Sequence, residues 1–220
     1  MKNTDTEIAE LQKRADEFFK SKQFAEASRC LNEVLKLDNN NAQAFYTRSM
    51  INNALAKYNE ALDCFDKVIF LDKNFTVAYI GKAFALNVLG RFQESLAANE
   101  IALTQDPNST LAHAGKAYSL VALGRYFEGL SAYEQALRLT PSHYFSHNGK
   151  ANALYGLGQY KEALEWFEKT TQLSPPPGAL DALKKAKEKN PRLLLPEEGL
   201  EKTQQAMQTA TSHSLHRTCS

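Results

Sequence analysis

Three histidines come nearest to a reactive or metal-binding set in this 220-residue chain: His113, His143 and His147. Neutral imidazole is a common metal ligand, and histidines four apart share one face of a helix. His143 and His147 have that spacing, but they straddle a turn and the start of the next helix. No cysteine or clustered acid stands near them to complete a coordination set. The cysteines, Cys30, Cys64 and Cys219, are dispersed. Cys30 and Cys64 hold the same helix B position in neighbouring repeats, and stacked helices sit about 8–10 Å apart. A disulfide needs alpha carbons within about 7 Å, so both are expected as thiols. No glycine-rich phosphate loop, nucleophile elbow or paired-acid constellation is present. The chemistry-bearing residues therefore predict no enzyme, no metal and no cofactor.

What the spacing does organise is a repeat. Gly-Lys-Ala occurs at 81–83, 115–117 and 149–151, a strict 34-residue period. One small residue recurs at Ala15, Ser49, Ala83, Ala117 and Ala151. Nine residues later come Phe24, Tyr58, Phe92, Tyr126 and Tyr160, then small residues at Ala27, Ala61, Ser95, Gly129 and Ala163. A mostly large series follows, Leu31, Phe65, Asn99, Tyr133 and Phe167, and after it Val34, Val68, Ala102, Ala136 and Thr170. Steps of three and four put these side chains on one helical face. A fixed period of this length marks a stack of supersecondary units, none of which buries its apolar face alone.

Each unit reads as two helices and a tight turn. In the third, helix A is predicted from about Thr76 to Leu89 and helix B from about Phe92 to Thr104. Gly90, Gly124 and Gly158 suit a left-handed C-cap; Lys22 and Ala56 stand there in the first two units. Asp38, Asp72, Asp106, Thr140 and Ser174 are expected as helix caps, with Pro107, Pro141 and Pro175 in the following first turn. Glu26, Glu60, Glu94, Glu128 and Glu162 open helix B, where negative charge complements the dipole. The cations Arg14, Arg48, Lys82, Lys116 and Lys150 are expected to pair with them. Asn99, amid large apolar residues, marks a looser contact where the array could bend.

These residues carry a resemblance to the tetratricopeptide repeat. It covers five units, 8–41, 42–75, 76–109, 110–143 and 144–177, behind a lead at 1–7. The resemblance implies an all-α, right-handed superhelical solenoid of antiparallel helix pairs. It also implies a concave groove, lined by helices A, that holds peptides or helices of partner proteins. By family geometry one stripe of helix A faces that groove. The candidate partner-binding residues are Tyr46, Met50 and Asn53; Val77, Ile80, Phe84 and Asn87; Leu111, Tyr118 and Val121; Phe145, Asn148, Asn152 and Tyr155. Repeat one contributes Ala9, Gln12, Lys13, Asp16 and Phe19. Gly81, Gly115 and Gly149, each costing about 1 kcal/mol against alanine in a helix, either make room for a ligand or accommodate the adjacent helix.

The stripe is nearly uncharged, which suits an apolar or amphipathic protein segment gripped at its backbone by asparagine amides. It argues against the C-terminal tail of a heat-shock chaperone. Family members that bind such tails carry Lys and Asn in one helix A, Asn in the next and Lys and Arg in the third; here those places hold Gln12, Asp16, Thr47, Val77 and Gly81. A buried terminal carboxylate would lack its charge-assisted partners. The expected role is a protein-binding adaptor or scaffold. Alternatives are a structural assembly subunit that self-associates through its ends or tail, and a chaperone for a specific client.

Net charge is +1, so no bulk field favours nucleic acid or an anionic membrane. No apolar run approaches the ~20 residues of a membrane span, and Met1 to Lys13 lacks a signal-peptide core; the expected location is cytoplasmic. Beyond the repeats, Pro175-Pro176-Pro177-Gly178 breaks the helix. Residues 178–190 are expected as a capping helix, with Ala179, Leu180, Ala182, Leu183 and Ala186 inward and Lys184, Lys185, Lys187 and Lys189 solvated. Residues 191–220 are expected as a flexible tail in which Leu193–Leu195 pack against the cap and a weak helix forms near Glu197–Thr209, and its Cys219 does not match a prenylation box.

Overall fold

The computed structural model describes residues 4–218, with side chains to residue 209; Cys219 lies outside the described residues. All the regular structure described is helical. The helices are α1 (Thr4–Lys20), α2 (Phe24–Leu37), α3 (Ala42–Ala54), α4 (Tyr58–Leu71), α5 (Thr76–Val88), α6 (Phe92–Gln105), α7 (Thr110–Ala122), α8 (Tyr126–Leu139), α9 (Tyr144–Gly156), α10 (Tyr160–Gln172), α11 (Ala179–Lys189) and α12 (Pro196–Thr218). The expected A and B helices are all present, and α1 begins inside the stretch assigned to a lead. Two compact units result, one running to Leu89 and one from Gly90, so the division falls within the third repeat.

In unit 1, Ala15, Ala27, Leu31, Val34, Ala44 and Ile51 form one buried cluster and Ala61, Phe65, Val68 and Ala78 another. In unit 2, Leu96, Ala117, Leu120, Val121, Ala132, Tyr133 and Ala153 do the same, followed by Ala151, Leu154, Ala163, Phe167 and Leu194. Ala15, Ala27, Leu31, Val34, Ala61, Phe65, Val68, Ala117, Tyr133, Ala151, Ala163 and Phe167 are periodic positions of the sequence, and burial of these clusters removes the apolar stripes of consecutive helices from water.

The recurring glycines serve this packing. A β-carbon on Gly81 would lie 2.4 Å from the Phe65 ring. One on Gly149 would lie 2.0 Å from Tyr133, and one on Gly115 2.7 Å from the Asn99 amide oxygen. Each helix A thus gives up a side chain where the preceding helix B sends its large one. Asn99 is fully buried and satisfied. Its amide donates to the Ser95 carbonyl at 3.0 Å, while the Ser119 hydroxyl stands 3.0 Å from both the Ser95 hydroxyl and the Gly115 carbonyl. The shorter polar residue is held in a buried network in place of a ring.

Three local expectations are corrected. The aspartates do not cap helix A. Asp38, Asp72 and Asp106 follow the ends of α2, α4 and α6, and each carboxylate accepts the backbone N–H two residues on, at 2.9–3.1 Å. Such local bonds favour turns over helix. Asn41 and Ser109 are the caps, accepting from Ala44 and Ala112, and Pro107 and Pro141 lie in the turns. Second, the cation ladder pairs 16 residues back: Lys82 with Asp66 at 2.6 Å, Lys116 with Glu100 at 3.0 Å, Lys150 with Glu134 at 2.8 Å, and Arg48 with Asn32 at 2.6 Å. Glu94 and Glu128 instead take Arg91 and Arg125 of their own turns. Third, the stretch expected as a flexible tail is more ordered than that: Leu193 and Leu195 lie against Ala179 and Leu183 of the cap as expected, Leu194 and Thr203 are also buried, and the weak helix expected near Glu197–Thr209 runs as α12 over Pro196–Thr218.

The A–B turns place Gly90, Gly124 and Gly158 at φ of 74–80°, with Lys22 and Ala56 at φ 60° and 59°. An L side chain pays about 1–2 kcal/mol in that region. Ala56→Gly is therefore expected to stabilise the chain by about 1 kcal/mol in urea unfolding. Gly149→Ala should do the reverse, costing about 1–3 kcal/mol by overpacking against Tyr133 despite alanine's better helix propensity; the same titration measures both.

Candidate functional site

Helix A positions its stripe by geometry alone: residues three and four apart return to one face. In unit 1 that face is partly open. Val77 is 48% and Phe84 52% exposed on α5, with Ile80 half-buried between them. On α3, Tyr46 and Met50 are half-buried, and the Tyr46 ring packs 5.1 Å from that of Phe75 and 6.3 Å from that of Phe65. Asn87 is buried, and the Asn53 side-chain oxygen is buried without a hydrogen-bond partner. At the start of the unit Gln12 donates to Asp16 at 3.0 Å and to Thr47 at 3.1 Å, and the Thr47 hydroxyl donates to Asp16 at 3.0 Å. The polar end of the stripe therefore presents a carboxylate already shared between two donors.

In unit 2 the same stripe is largely covered, and by the chain itself. Leu111 stays open at 60% exposure. Val121 is buried in the α7–α8 core, where Gly129 leaves it room. Tyr118 and Phe145 pack with Ala179, Leu183, Ala186, Leu193 and Leu195, bringing α11 and the segment after it onto α7 and α9. Burial, opposed by a hydrogen bond with the Asn190 side chain, pushes the Tyr118 hydroxyl up to about 12. Tyr155 stacks against Tyr160 at 5.4 Å. Asn148 and Asn152, one turn apart on α9 and both buried, reach the main chain of Leu194. Asn152 donates to its carbonyl at 2.9 Å and accepts its N–H at 2.6 Å; Asn148 donates to the same carbonyl at 3.2 Å.

Residues 115–176 match the family profile described as tetratricopeptide repeat. Among solved structures, MamA 41-end from Desulfovibrio magneticus RS-1 is 21% identical with a TM-score of 0.69, over 76% of this chain and 94% of that one. Residues 115–176 are tetratricopeptide repeat, and the chain has the fold of a tetratricopeptide repeat solenoid. YrrB, described as a TPR protein with an unusual peptide-binding site, is 21% identical with a TM-score of 0.63, over 79% of this chain and 90% of that one. MamA AMB-1 is 15% identical with a TM-score of 0.65, over 74% and 96%. No curated protein matches the chain in sequence.

The tetratricopeptide repeats account for the histidines. His113 bonds the Pro107 carbonyl at 2.9 Å and His147 the Pro141 carbonyl at 2.7 Å, one lock on two successive inter-repeat turns. His143 meets the Ser146 hydroxyl at 2.7 Å, and burial together with His147 lowers its pKa. Among the described residues no three His, Cys, Asp or Glu side chains come together as a metal would need, and Cys30 and Cys64 are free thiols.

Sequence reasoning missed that the tetratricopeptide stack continues through α12. A β-carbon on Gly199 would lie 2.3 Å from the Phe167 ring, the relation Gly81 has to Phe65. Gly199 lies 50 residues beyond Gly149 instead of 34, so α11 and residues 190–195 form a detour before a sixth helix A. Without Gly-Lys-Ala, the period offered no register for it. In α11, Ala179 and Leu183 face inward as expected, but Leu180 and Ala182 are exposed. Lys187, expected in solvent, pairs with Glu198 and ties α11 to α12; Lys202 completes the group at 2.8 Å.

Burial opposes ionisation of Glu198, but bonds from Lys187 and Lys202 outweigh it and hold the carboxyl at about 2. A carboxyl held low in the folded state adds stability that is full above its ordinary 4.5 and lost as pH falls towards 2. Glu198→Gln should melt below wild type at pH 7. Thermal melts followed by circular dichroism from pH 7 to 2.5 should show the gap closing below pH 4.5.

Proposed function

We propose that this chain is a non-enzymatic protein-interaction module, an adaptor or scaffold of the cytoplasm. It holds an apolar or amphipathic segment of a partner protein against the helix-A stripe of unit 1. The observation that carries this reading is the half exposure of Val77 and Phe84, two large apolar side chains seven apart on α5, flanking Ile80. Exposed apolar residues at that spacing present one stripe to an incoming helix or strand, and burying them supplies the drive for association. The fold supports it, since such arrays create extended surfaces from stacked helices.

The reading excludes acidic C-terminal tails. At the end of the unit 1 stripe, Gln12 stands where recognition of a terminal carboxylate requires a lysine, and the neighbouring Asp16 carboxylate, engaged by Gln12 and Thr47, would repel such a tail. Nothing in the stripe favours nucleic acid, since it carries no run of cations for phosphates. No described helix is long and apolar enough to cross a membrane.

Affinity capture from native lysate tests the proposal, with Phe84→Glu beside Phe70→Glu. Phe70 is 77% exposed on α4, a helix B. A partner retained by Phe70→Glu and lost by folded Phe84→Glu, with affinity at least tenfold weaker in a direct titration, is the expected result. Retention by both variants moves recognition off the α5 face.

A further inference from the structure

The covered stripe of unit 2 has the construction of a peptide site with a ligand in it. Asn152 holds both main-chain groups of Leu194, and Asn148 shares the carbonyl. Leu193 is seated beside Tyr144, Ala179 and Leu183, with Phe145 and Leu195 at the edge. A side chain that chelates the N–H and carbonyl of one residue reads backbone and ignores sequence, and neighbouring apolar pockets then select the side chains. The occupant is the chain's own segment Asn190–Leu195, which runs without helix between α11 and α12.

The occupant fits imperfectly. The Asn148 side-chain oxygen is buried and has no hydrogen-bond partner. Leaving an acceptor desolvated and unpaired is costly. In an extended chain, the next N–H on the side that carries the 194 carbonyl belongs to the residue two further on. Here that residue is Pro196, which has no N–H to give. The detour that brings the segment in buries little of itself: of the 11 residues of α11 only Ala179 and Leu183 are buried, Gly178 at φ 77° adjoins three prolines, and Lys187 pairs with Glu198 of α12. Segments with few buried contacts open at lower cost than the core.

We infer that Asn148 and Asn152 form a main-chain-reading site for an extended, leucine-rich segment of a partner protein, and that Asn190–Leu195 is an internal plug which the partner displaces. A preferred partner segment carries an ordinary amide N–H where the plug has Pro196, and so satisfies Asn148 as well. This deepens the reading of the helix-A stripes as partner-binding surfaces, but it concerns α9 in unit 2, so its failure would leave the Phe84 test untouched.

The probe is a fluorescent peptide, NPRLLLAEE, which copies residues 190–198 with alanine for proline, titrated by polarisation into the full chain. Leu193→Asp removes an anchor of the plug and keeps both asparagines. The expected result is at least tenfold tighter binding to Leu193→Asp than to wild type, reversed by adding Asn152→Ala. The parent peptide NPRLLLPEE should bind severalfold more weakly than the alanine probe. Equal binding to wild type and folded Leu193→Asp, or binding indifferent to Asn152→Ala, would overturn the inference. Should Leu193→Asp fail to fold, hydrogen exchange of wild type decides. A Leu194 amide that exchanges by a smaller opening than the amides of α9 and α10 supports the plug. Exchange only through global unfolding, together with those helices, rejects it.

Discussion

One packing relation governs this chain: a large side chain from helix B enters a place on the next helix A that has no β-carbon. Phe65 meets Gly81, Tyr133 meets Gly149 and Phe167 meets Gly199. A glycine inside a helix sacrifices about 1 kcal/mol of propensity, and a ring left without its cavity would cost more through strain. The exchange favours the ring, and it fixes which residue of one helix faces which of the next. Because each repeat buries its apolar face against the next, that register carries from repeat to repeat within each compact unit. Asn99 with Gly115 shows what happens when the ring is absent. The place is filled by an amide tied to Ser95, beside the Ser119 hydroxyl, so the register survives at the expense of a polar network.

The same relation explains the end of the chain. Phe167 needs a helix with a gap, and α10 is not followed by one at the usual interval. The next helix in sequence, α11, carries Leu183 where the period would place the glycine. It is α12 that supplies Gly199. Residues 179–195 are thereby excluded from the stack and lie on the face of unit 2. Burial of Leu193 and Leu194 and the bonds from α9 fix the segment there, while the Lys187–Glu198–Lys202 group clasps its two helices together. In unit 1, Val77 and Phe84 of α5 stand exposed.

How much of this was legible in the sequence follows from what periodicity can encode. Small, aromatic and large positions recurring every 34 residues located the repeat helices and most of the core, because packing between like units repeats like contacts. Pairing partners were harder. The cations were read against the glutamates that open helix B, yet Asn32, Asp66, Glu100 and Glu134 form an equally regular series and are the partners found. Either ladder satisfies the period, so the spacing alone does not choose between them. The turn aspartates were misread for a related reason. Asp38, Asp72 and Asp106 have the chemistry of caps, but a carboxylate that can close a two-residue turn onto its own backbone does so before the helix begins.

The candidate site divides along the same line. Asn148 and Asn152 were legible as amides on the helix-A stripe, whereas the chain's own Leu194 main chain as their partner was not. Leu194 reaches Asn152 across 42 residues, and no local pattern encodes a contact of that range. Its bonds depend on main-chain groups that every residue carries, so the side chain of Leu194 gives no sign of them. Pro196 alone leaves a mark: it can cap the end of the segment and open α12, but it cannot donate to Asn148. The Asn148 side-chain oxygen is left buried and without a partner beside the Asn152–Leu194 pair, because the residue that opens α12 has no N–H to offer it.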